Sequence, residues 1–575
     1  MVGKTESSGE SGERLFMVRD PVGTKSGEVM LTITGEPVYG AVSIGRLALC
    51  QPDVPAKGNS EITDTGAEVK RFQKAREKAV VQLRQLYETA LKTVGEEDAS
   101  IFEIHQMMLE DDEYIENVEG LIRNGFLSAE AAVERTAVQF ADMFRNMDDK
   151  YMQARAADVL DISRRVGRIL GNGETVDFSG YNQVILAADD LAPSEMMQLD
   201  TDRILGIVLS SGSISSHTAI LARNLGIAAV VNTGKRLDRT FDGKLAVLDG
   251  FTGNVYVDPD RETLAVMQEK QKKALAERQR LESVRGMESV TRDGRKVMIY
   301  ANAGNPADLA GIIASDAEGI GLFRSEFLYL ENDDYPTEEQ QFTAYKKVLR
   351  SMQGKRVIIR TLDIGADKKA DYFKLDHEEN PAMGLRAIRI CLTRPELFKT
   401  QLRALCRASV YGKLAIMFPM IISVEEVRKS KALLAEVKEE LAKEGIACAE
   451  QIETGIMIET PAAALISDEL AREVDFFSLG TNDLTQYALA IDRQQTTLGA
   501  FFNPHHPAIL RLIEMTVRNA HKAGIWAGIC GELGADLTMT ETFLRMGMDE
   551  FSVSAANILP LRDKVRSLDL EQQAT

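Results

Sequence analysis

From residue 297 to residue 554 short apolar runs alternate with helical stretches or loops eight times, and this repeat constrains the fold more than any other feature of the chain. The runs fall at 297–302, 319–323, 356–362, 414–420, 452–458, 474–480, 525–529 and 550–554. Parallel strands need a crossover between them, usually a helix. Eight such units predict a closed (β/α)8 barrel, in which functional side chains sit on the loops leaving the strand C-termini. The residues just past the runs are therefore the ones to read: Asn302, Arg324, Arg360, Met420, Glu459, Asn482 with Asp483, Cys530 and Ser554.

Four of those loops carry charge, and Arg386 and Arg493 lie close by on the segments after the third and sixth runs. A guanidinium fork grips phosphate or carboxylate with two hydrogen bonds, so arginines converging on one mouth describe a pocket for a small, multiply charged anion. Glu459 and Asp483 would sit among them, where a hard divalent cation held by oxygen ligands fits, magnesium being the default. Taken singly, each arginine reads equally as a surface ion pair. The two carboxylates read equally as partners of the arginines, and Cys530 as a small buried hydrophobe.

The rest of the chain follows a different grammar. Breaker-free stretches with helical apolar spacing cover 67–94, 96–119 and 126–166, with Gly95, Gly120 and Gly125 expected to stop helices. They predict a helical bundle over 61–175. Short β-like runs lie on both sides of it, at Gly40–Ala48 before and at Val184–Ala188, Ile204–Leu209, Ala228–Val231 and Leu245–Leu248 after. The first segment is too short to fold alone, so 31–60 and 176–258 are expected to form one α/β domain with the bundle inserted. A charged stretch without Gly or Pro, 261–285, predicts a helical linker over 259–288 between that domain and a barrel over 289–575. The first 30 residues, rich in Gly, Ser and Glu, read as a disordered extension.

Charge and cysteine usage exclude several function classes. With 68 Lys and Arg against 87 Asp and Glu, a formal charge of −19, there is no global field to hold a nucleic acid or an acidic membrane surface. No apolar run reaches the roughly 18 residues of a spanning helix, and the N-terminus lacks a secretory core. Five cysteines without a CxxC pair give no disulfide framework, and a cytoplasmic location is expected.

One further signal lies in the first α/β domain. The small polar loop Ser210-Ser-Gly-Ser-Ile-Ser-Ser216 ends at His217, and Ala219 to Leu225 continues as a helix that Ser215 or Ser216 is placed to cap, which puts His217 in its first turn. A histidine in a first helical turn meets free N–H groups and the positive end of the dipole, which favours an anion or a phosphoryl group carried on the imidazole. The plain alternative is an unreactive polar cap residue. His505 and His506, in Asn503-Pro-His-His-Pro507, read as a solvated turn.

Seven strings in order resemble successive blocks of enzyme I of the bacterial phosphoenolpyruvate:sugar phosphotransferase system: Gly321-Leu-Phe-Arg-Ser-Glu-Phe-Leu328, Arg360-Thr-Leu-Asp-Ile-Gly365, Asn380-Pro-Ala-Met-Gly-Leu-Arg386, Met417-Phe-Pro-Met-Ile-Ile-Ser-Val-Glu-Glu-Val427, Glu459-Thr-Pro-Ala-Ala463, Ser478-Leu-Gly-Thr-Asn-Asp-Leu-Thr-Gln486 and Cys530-Gly-Glu532. The resemblance runs from about Gly35 nearly to the end. It implies a multidomain α/β protein: a swivelling phosphohistidine domain with an inserted helical bundle, joined by a helical linker to a phosphoenolpyruvate-binding TIM barrel. It further implies that Arg324, Arg360, Arg493 and Asn482 hold the phosphate and carboxylate of phosphoenolpyruvate, with Arg386 lining the same mouth. Glu459 and Asp483 would bind Mg2+, Cys530 would protonate the enolate to pyruvate, and His217 would carry the phosphoryl group to the phosphocarrier protein HPr, the first step of sugar uptake. The bundle strings Phe102-Glu-Ile-His-Gln-Met-Met-Leu109 and Arg155-Ala-Ala-Asp158 resemble the HPr docking platform, and a homodimer through the barrel domain is implied.

The chain departs from the family pattern around the histidine. Gly212-Ser-Ile-Ser-Ser-His217 has Ser213 for a second glycine and Ser215 for a threonine, and Pro193-Ser-Glu-Met196 has Met196 for a threonine. A serine is strained where a backbone position needs φ > 0, and Met196 cannot hydrogen-bond an imidazole. Leu385 stands for a frequent tryptophan. A paralogue that binds partners without turnover is the alternative these changes favour. A pyruvate phosphate dikinase-like enzyme is the other, though no Gly-rich phosphate loop and no room for an ATP-binding domain precede Gly35.

Overall fold

The computed structural model describes residues 30–50, 62, 64–93, 96–147, 150–171, 182–191, 193–197, 199–200, 203–214, 216–234, 237–330, 332, 334–365, 371–493 and 495–571. Residues 1–29, most of the stretch read as an extension, and Ser215 lie outside the described residues. The chain divides into two compact units, Met1–Tyr87 with Phe102–Lys272 and Glu88–Ile101 with Lys273–Thr575.

All eight expected barrel strands form: β9 (Met298–Ala303), β10 (Gly319–Arg324), β11 (Arg356–Arg360), β12 (Lys413–Phe418), β13 (Glu453–Ile458), β14 (Phe476–Gly480), β15 (Trp526–Cys530) and β16 (Glu550–Val553). Each pairs in parallel with the next and β16 closes on β9. Side chains alternate across a strand with period two, and here the two faces meet two different cores. Val357, Ile359, Ile456, Ile458, Ala527 and Ile529 pack outward beneath the helices. Leu322, Ile358, Met457, Trp526 and Cys530 pack into the barrel interior. The parity has a chemical consequence: Arg324, Arg360 and Glu459 each stand two residues beyond an inward side chain, so the same alternation turns them inward where the strands end.

In the other unit one eight-stranded mixed sheet draws its strands from both sides of the bundle. β1 (Leu31–Thr34), β2 (Glu36–Tyr39) and β3 (Val42–Cys50) join β4 (Val184–Ala188), β5 (Ile204–Leu209), β6 (Ala228–Val231), β7 (Leu245–Asp249) and β8 (Asn254–Val257) in the order β1-β8-β7-β3-β4-β5-β6-β2. β3, β4, β5 and β6 pair in parallel, and the outer pairs are antiparallel. The buried faces meet in a core of Ile33, Leu47, Ile185, Val208, Val230, Leu248 and Val255. β1, β2 and β8 were not legible in the sequence, because each is only four residues long and buries its side chains in part.

The bundle holds five helices where three breaker-free stretches were read: α1 (Thr65–Thr93), α2 (Glu96–Glu110), α3 (Asp112–Gly125), α4 (Ala129–Arg145) and α5 (Lys150–Leu170). Asp111 ends the second stretch by turning extended and accepting the Tyr114 N–H at 3.1 Å, a side-chain cap that needs neither Gly nor Pro. Gly120 stops nothing. It lies inside α3, whose end falls instead at Gly125 followed by Phe126 in the left-handed region at φ 51°. Tyr114, Val118 and Ile122 form the buried stripe of α3. The expected linker is a helix, Arg261–Ser283, with no buried residue along it.

Candidate active site at the barrel mouth

Eight of the residues read from the barrel loops line a single cavity of about 980 Å³ at the C-terminal end of the barrel, Arg324, Arg360, Arg386, Glu459, Asn482, Asp483, Arg493 and Cys530, whereas Asn302, Met420 and Ser554, also read there, are not among its lining residues. The eight come from units far apart in sequence, and the strand parity of the closed barrel is what brings them together.

The arginines are not equivalent. Arg360 is buried and ion-paired to Glu326 at 2.8 Å and to Asp363 at 3.0 Å, while Arg386 reaches the other oxygen of Asp363 at 3.2 Å. Burial works against the charge of Arg360, yet Glu326, Asp363, Glu459 and Asp483 together hold its pKa above the ordinary value. Glu326 and Asp363 were missed in the sequence although both lie inside the strings quoted above, Asp363 three residues after Arg360. Their acidic signal is visible only once the arginine they orient is known to be buried. The Nε of Arg360 is buried without a hydrogen-bond partner among the described residues, leaving one donor of the fork for something absent from the chain. Arg324 is exposed and makes no ion pair among the described residues. Arg493 is 41% exposed with Asp483 3.6 Å away.

Glu459 is buried at the end of β13 and accepts the Met420 N–H at 2.6 Å. Burial, then repulsion from Asp483 and Asp363, pushes its carboxyl up to about 8. A cation between Glu459 and Asp483 would remove that repulsion, and the donor chemistry fits a hard ion. Among the described residues no cluster of three or more His, Cys, Asp or Glu forms a closed cage. The carboxylate oxygens of Glu459 and Asp483 are ligands of the kind a hard divalent cation takes. Gly480 permits this arrangement, since a Cβ there would stand 2.8 Å from Glu459 Cβ.

Cys530 is buried at the end of β15, its Sγ 3.5 Å from Ser478 Oγ and 3.4 Å from the Leu479 carbonyl. Burial pushes the thiol up to about 12, against the hydrogen bond from Ser478. The following Gly531 has φ 95° and would place a Cβ 2.6 Å from Thr481 Oγ1. It lets the β15 loop pass close to the β14 loop, where Asn482 Oδ1 accepts the Glu532 N–H at 3.4 Å.

In the first unit β5 leads into the polar loop, and His217 is the first residue of the helix His217–Asn224. Ser216 is the cap, accepting the Ala219 N–H at 3.2 Å. Thr218 ties the helix start to the Leu191 carbonyl at 2.6 Å, and Ser211 donates to the Asp189 carbonyl at 2.6 Å. The left-handed residue of this loop is Gly212 at φ 93°, and Ser213 is not among the residues with positive φ, so the strain expected there is absent. Met196 is fully buried. In the bundle strings His105, Arg155 and Asp158 are buried, with Arg155 2.9 Å from Asp158, and His105 3.3 Å from Asp158 but outside hydrogen-bond geometry. Met107 of the same string is 70% exposed. His505 reaches Asp536 at 2.7 Å, 31 positions along the chain, and His506 accepts the Ala508 N–H at 3.2 Å.

A fold of this kind with this mouth defines a class, the PEP-utilising enzymes. The family models for their N-terminal, mobile and PEP-binding domains match residues 34–155, 180–253 and 278–570. The phosphoenolpyruvate-protein phosphotransferase of Staphylococcus carnosus is 46% identical over 526 residues, 91% of each chain. That of Staphylococcus epidermidis is 42% identical over 548 residues, 94% of this chain and 95% of the relative, and that of Bacillus subtilis 43% over 523, 91% and 92%. The chain belongs to the phosphoenolpyruvate-protein phosphotransferase family, a family of transferases, as its sequence strings lead one to expect. No described helix is long and apolar enough to cross a membrane.

Proposed function

We propose that the chain moves the phosphoryl group of phosphoenolpyruvate to His217 and from there to the phosphocarrier protein HPr, releasing pyruvate and starting cytoplasmic, phosphotransferase-driven sugar uptake. The observation that carries this reading is the convergence of eight residues from separate β/α units on one cavity of about 980 Å³. Its cationic and carboxylate groups match a small substrate bearing one phosphate and one carboxylate.

In this reading Arg324, Arg360, Arg493 and Asn482 grip the phosphate and carboxylate, and Arg386 lines the mouth beside them. Glu326 and Asp363 hold Arg360 in place before substrate arrives, so little reorganisation accompanies charge movement. Glu459 and Asp483 would hold Mg2+, which when bound supplies neutralising charge at the phosphoryl oxygens. The bond from phosphorus to the enol oxygen breaks as one forms to an imidazole nitrogen of His217, in line. The remaining enolate takes a proton at its methylene carbon from the Cys530 thiol. Burial supports that role, because a thiol held near 12 stays protonated at neutral pH. His217 and the mouth belong to different units, so the reaction requires docking of one on the other and release toward HPr. A dimer through the barrel unit is part of the proposal. The test is incubation with phosphoenolpyruvate labelled in its phosphate, with and without HPr: label is expected on His217 and then on HPr, and label retained in phosphoenolpyruvate overturns the reading.

A further inference from the structure

We propose that Met420 is a positioning residue for Glu459: its left-handed backbone, braced by Thr460, fixes one oxygen of the carboxylate and leaves the other for a divalent cation. The inference deepens the reading of Glu459 and Asp483 as the Mg2+ pair and rests on it.

Met420 does not line the cavity, so what it contributes there passes through a neighbour. β12 ends at Phe418, and the following Pro419 has no N–H to give. Met420 therefore carries the first main-chain donor beyond the strand. It holds φ 56° while buried, a conformation costly for a long side chain and free for glycine. Phe126 and Ala490 also have positive φ, and each ends a helix, the usual place for such a residue. Met420 follows a strand, so helix capping does not account for it. Its N–H is instead aimed at Oε1 of Glu459, 2.6 Å away. One residue further on, the Ile421 carbonyl accepts the Thr460 hydroxyl at 3.0 Å. Two consecutive residues after β12 are thus gripped by two consecutive residues after β13.

The grip makes the two oxygens of Glu459 unequal. Oε1 is taken by the Met420 N–H, whereas Oε2 has no hydrogen-bond partner among the described residues and lies 3.0 Å from the point where a Cβ on Gly480 would stand. Gly480 directly precedes the helix Thr481–Leu489, which carries Asp483. Oε2 is turned toward the end of β14, on the side of the second carboxylate. The grip also acts against collapse onto Arg360. That guanidinium is ion-paired with Glu326 and Asp363, and Glu459 is not among its ion-pair partners although its charge is felt there. A carboxylate held in this way meets a cation without first leaving an arginine. Groups that orient a metal-binding carboxylate change metal affinity by about 10–100-fold when they are lost.

The test titrates Mn2+ into the intact protein and reads the free ion by electron spin resonance, with denaturant unfolding of every variant recorded alongside. Met420→Val should bind Mn2+ about tenfold more weakly, because a β-branched residue resists a positive φ. Met420→Gly should stay within about threefold of the unaltered protein, because glycine takes that φ freely. Side-chain packing predicts the opposite order, valine being nearer to methionine in size. Thr460→Val should weaken Mn2+ binding about tenfold. Thr460→Ser, which keeps the hydroxyl for the Ile421 carbonyl and for the Ala463 N–H that it also accepts, should restore it. The Thr460 pair decides the matter where a Met420 variant does not fold. Glu459→Gln is the reference. If it leaves Mn2+ binding unchanged, the metal reading fails and takes the proposal with it. If it weakens binding while Met420→Val and Thr460→Val bind as the unaltered protein does, or if Met420→Gly loses more affinity than Met420→Val, the metal reading stands and the proposal is overturned.

Discussion

The barrel mouth and the histidine loop solve opposite problems. At the mouth, charged side chains are buried, paired and oriented without substrate: Arg360 between Glu326 and Asp363, and Glu459 on the Met420 N–H. At the loop, Ser211, Gly212, Ser213 and Ile214 are exposed, and order comes from hydrogen bonds of the Ser216 and Thr218 side chains to backbone groups around the helix start. A site that must stabilise moving charge gains from a rigid, water-poor setting. A group that must meet two partners in turn has to stay at a surface. Binding and delivery are thus separable, and variants should separate them.

The largest effect is expected from His217→Ala. Label transfer to HPr should fall by at least about 10³-fold while phosphoenolpyruvate affinity of the mouth changes by no more than about twofold, measured by equilibrium binding. Parallel loss of both would dissolve the division between the two regions.

Next comes Arg360→Ala, which takes the ion-pair partner from the buried Glu326 carboxylate and leaves Asp363 with Arg386. Denaturant unfolding of the barrel should lose about 3–5 kcal/mol. Arg324→Ala, at an exposed arginine of the same mouth without an ion pair among the described residues, should change stability by less than about 0.5 kcal/mol and still weaken phosphoenolpyruvate binding roughly tenfold. Equal stability losses in the two variants would show that the mouth is not preorganised in the way its ion pairs suggest.

Cys530→Ala should leave phosphorylation of His217 measurable, because that step precedes protonation, and slow deuterium incorporation into the methyl of pyruvate by about 10²-fold. Enolisation at the unaltered rate would return Cys530 to a packing role.

The smallest effect concerns the barrel interior below the mouth. Burial holds the Glu550 carboxyl well above the ordinary range, with Arg356 opposing. The folded protein then keeps a proton that the unfolded chain releases, so its contribution to stability declines as pH rises above the ordinary carboxylate range. Glu550→Gln should flatten that decline, as read from unfolding curves at a series of pH values. A decline that persists unchanged would place its origin elsewhere.

Much of this was open to reading along the chain. Strand alternation and loop position select Arg324, Arg360, Glu459, Asn482, Asp483 and Cys530 because a barrel repeats one local unit, and local periodicity survives in a linear sequence. The start of the histidine helix was legible for the same reason, since a cap is a contact between residues three apart.

Tertiary structure alone decided the rest, wherever the deciding partner is distant in sequence. Glu326 joins Arg360 across 34 positions, and Ser478 meets Cys530 across 52. Neither pairing has a spacing rule, and both follow from which strands are neighbours in the closed sheet. The same holds for acidity: burial pushes the Glu459 carboxyl up to about 8, whereas the Arg403 guanidinium, 41 positions away, holds that of Glu444 below the ordinary range. Composition assigns both residues the same chemistry. Folding separates them, because solvation and hydrogen bonding of the charged form are properties of a place and not of a residue type.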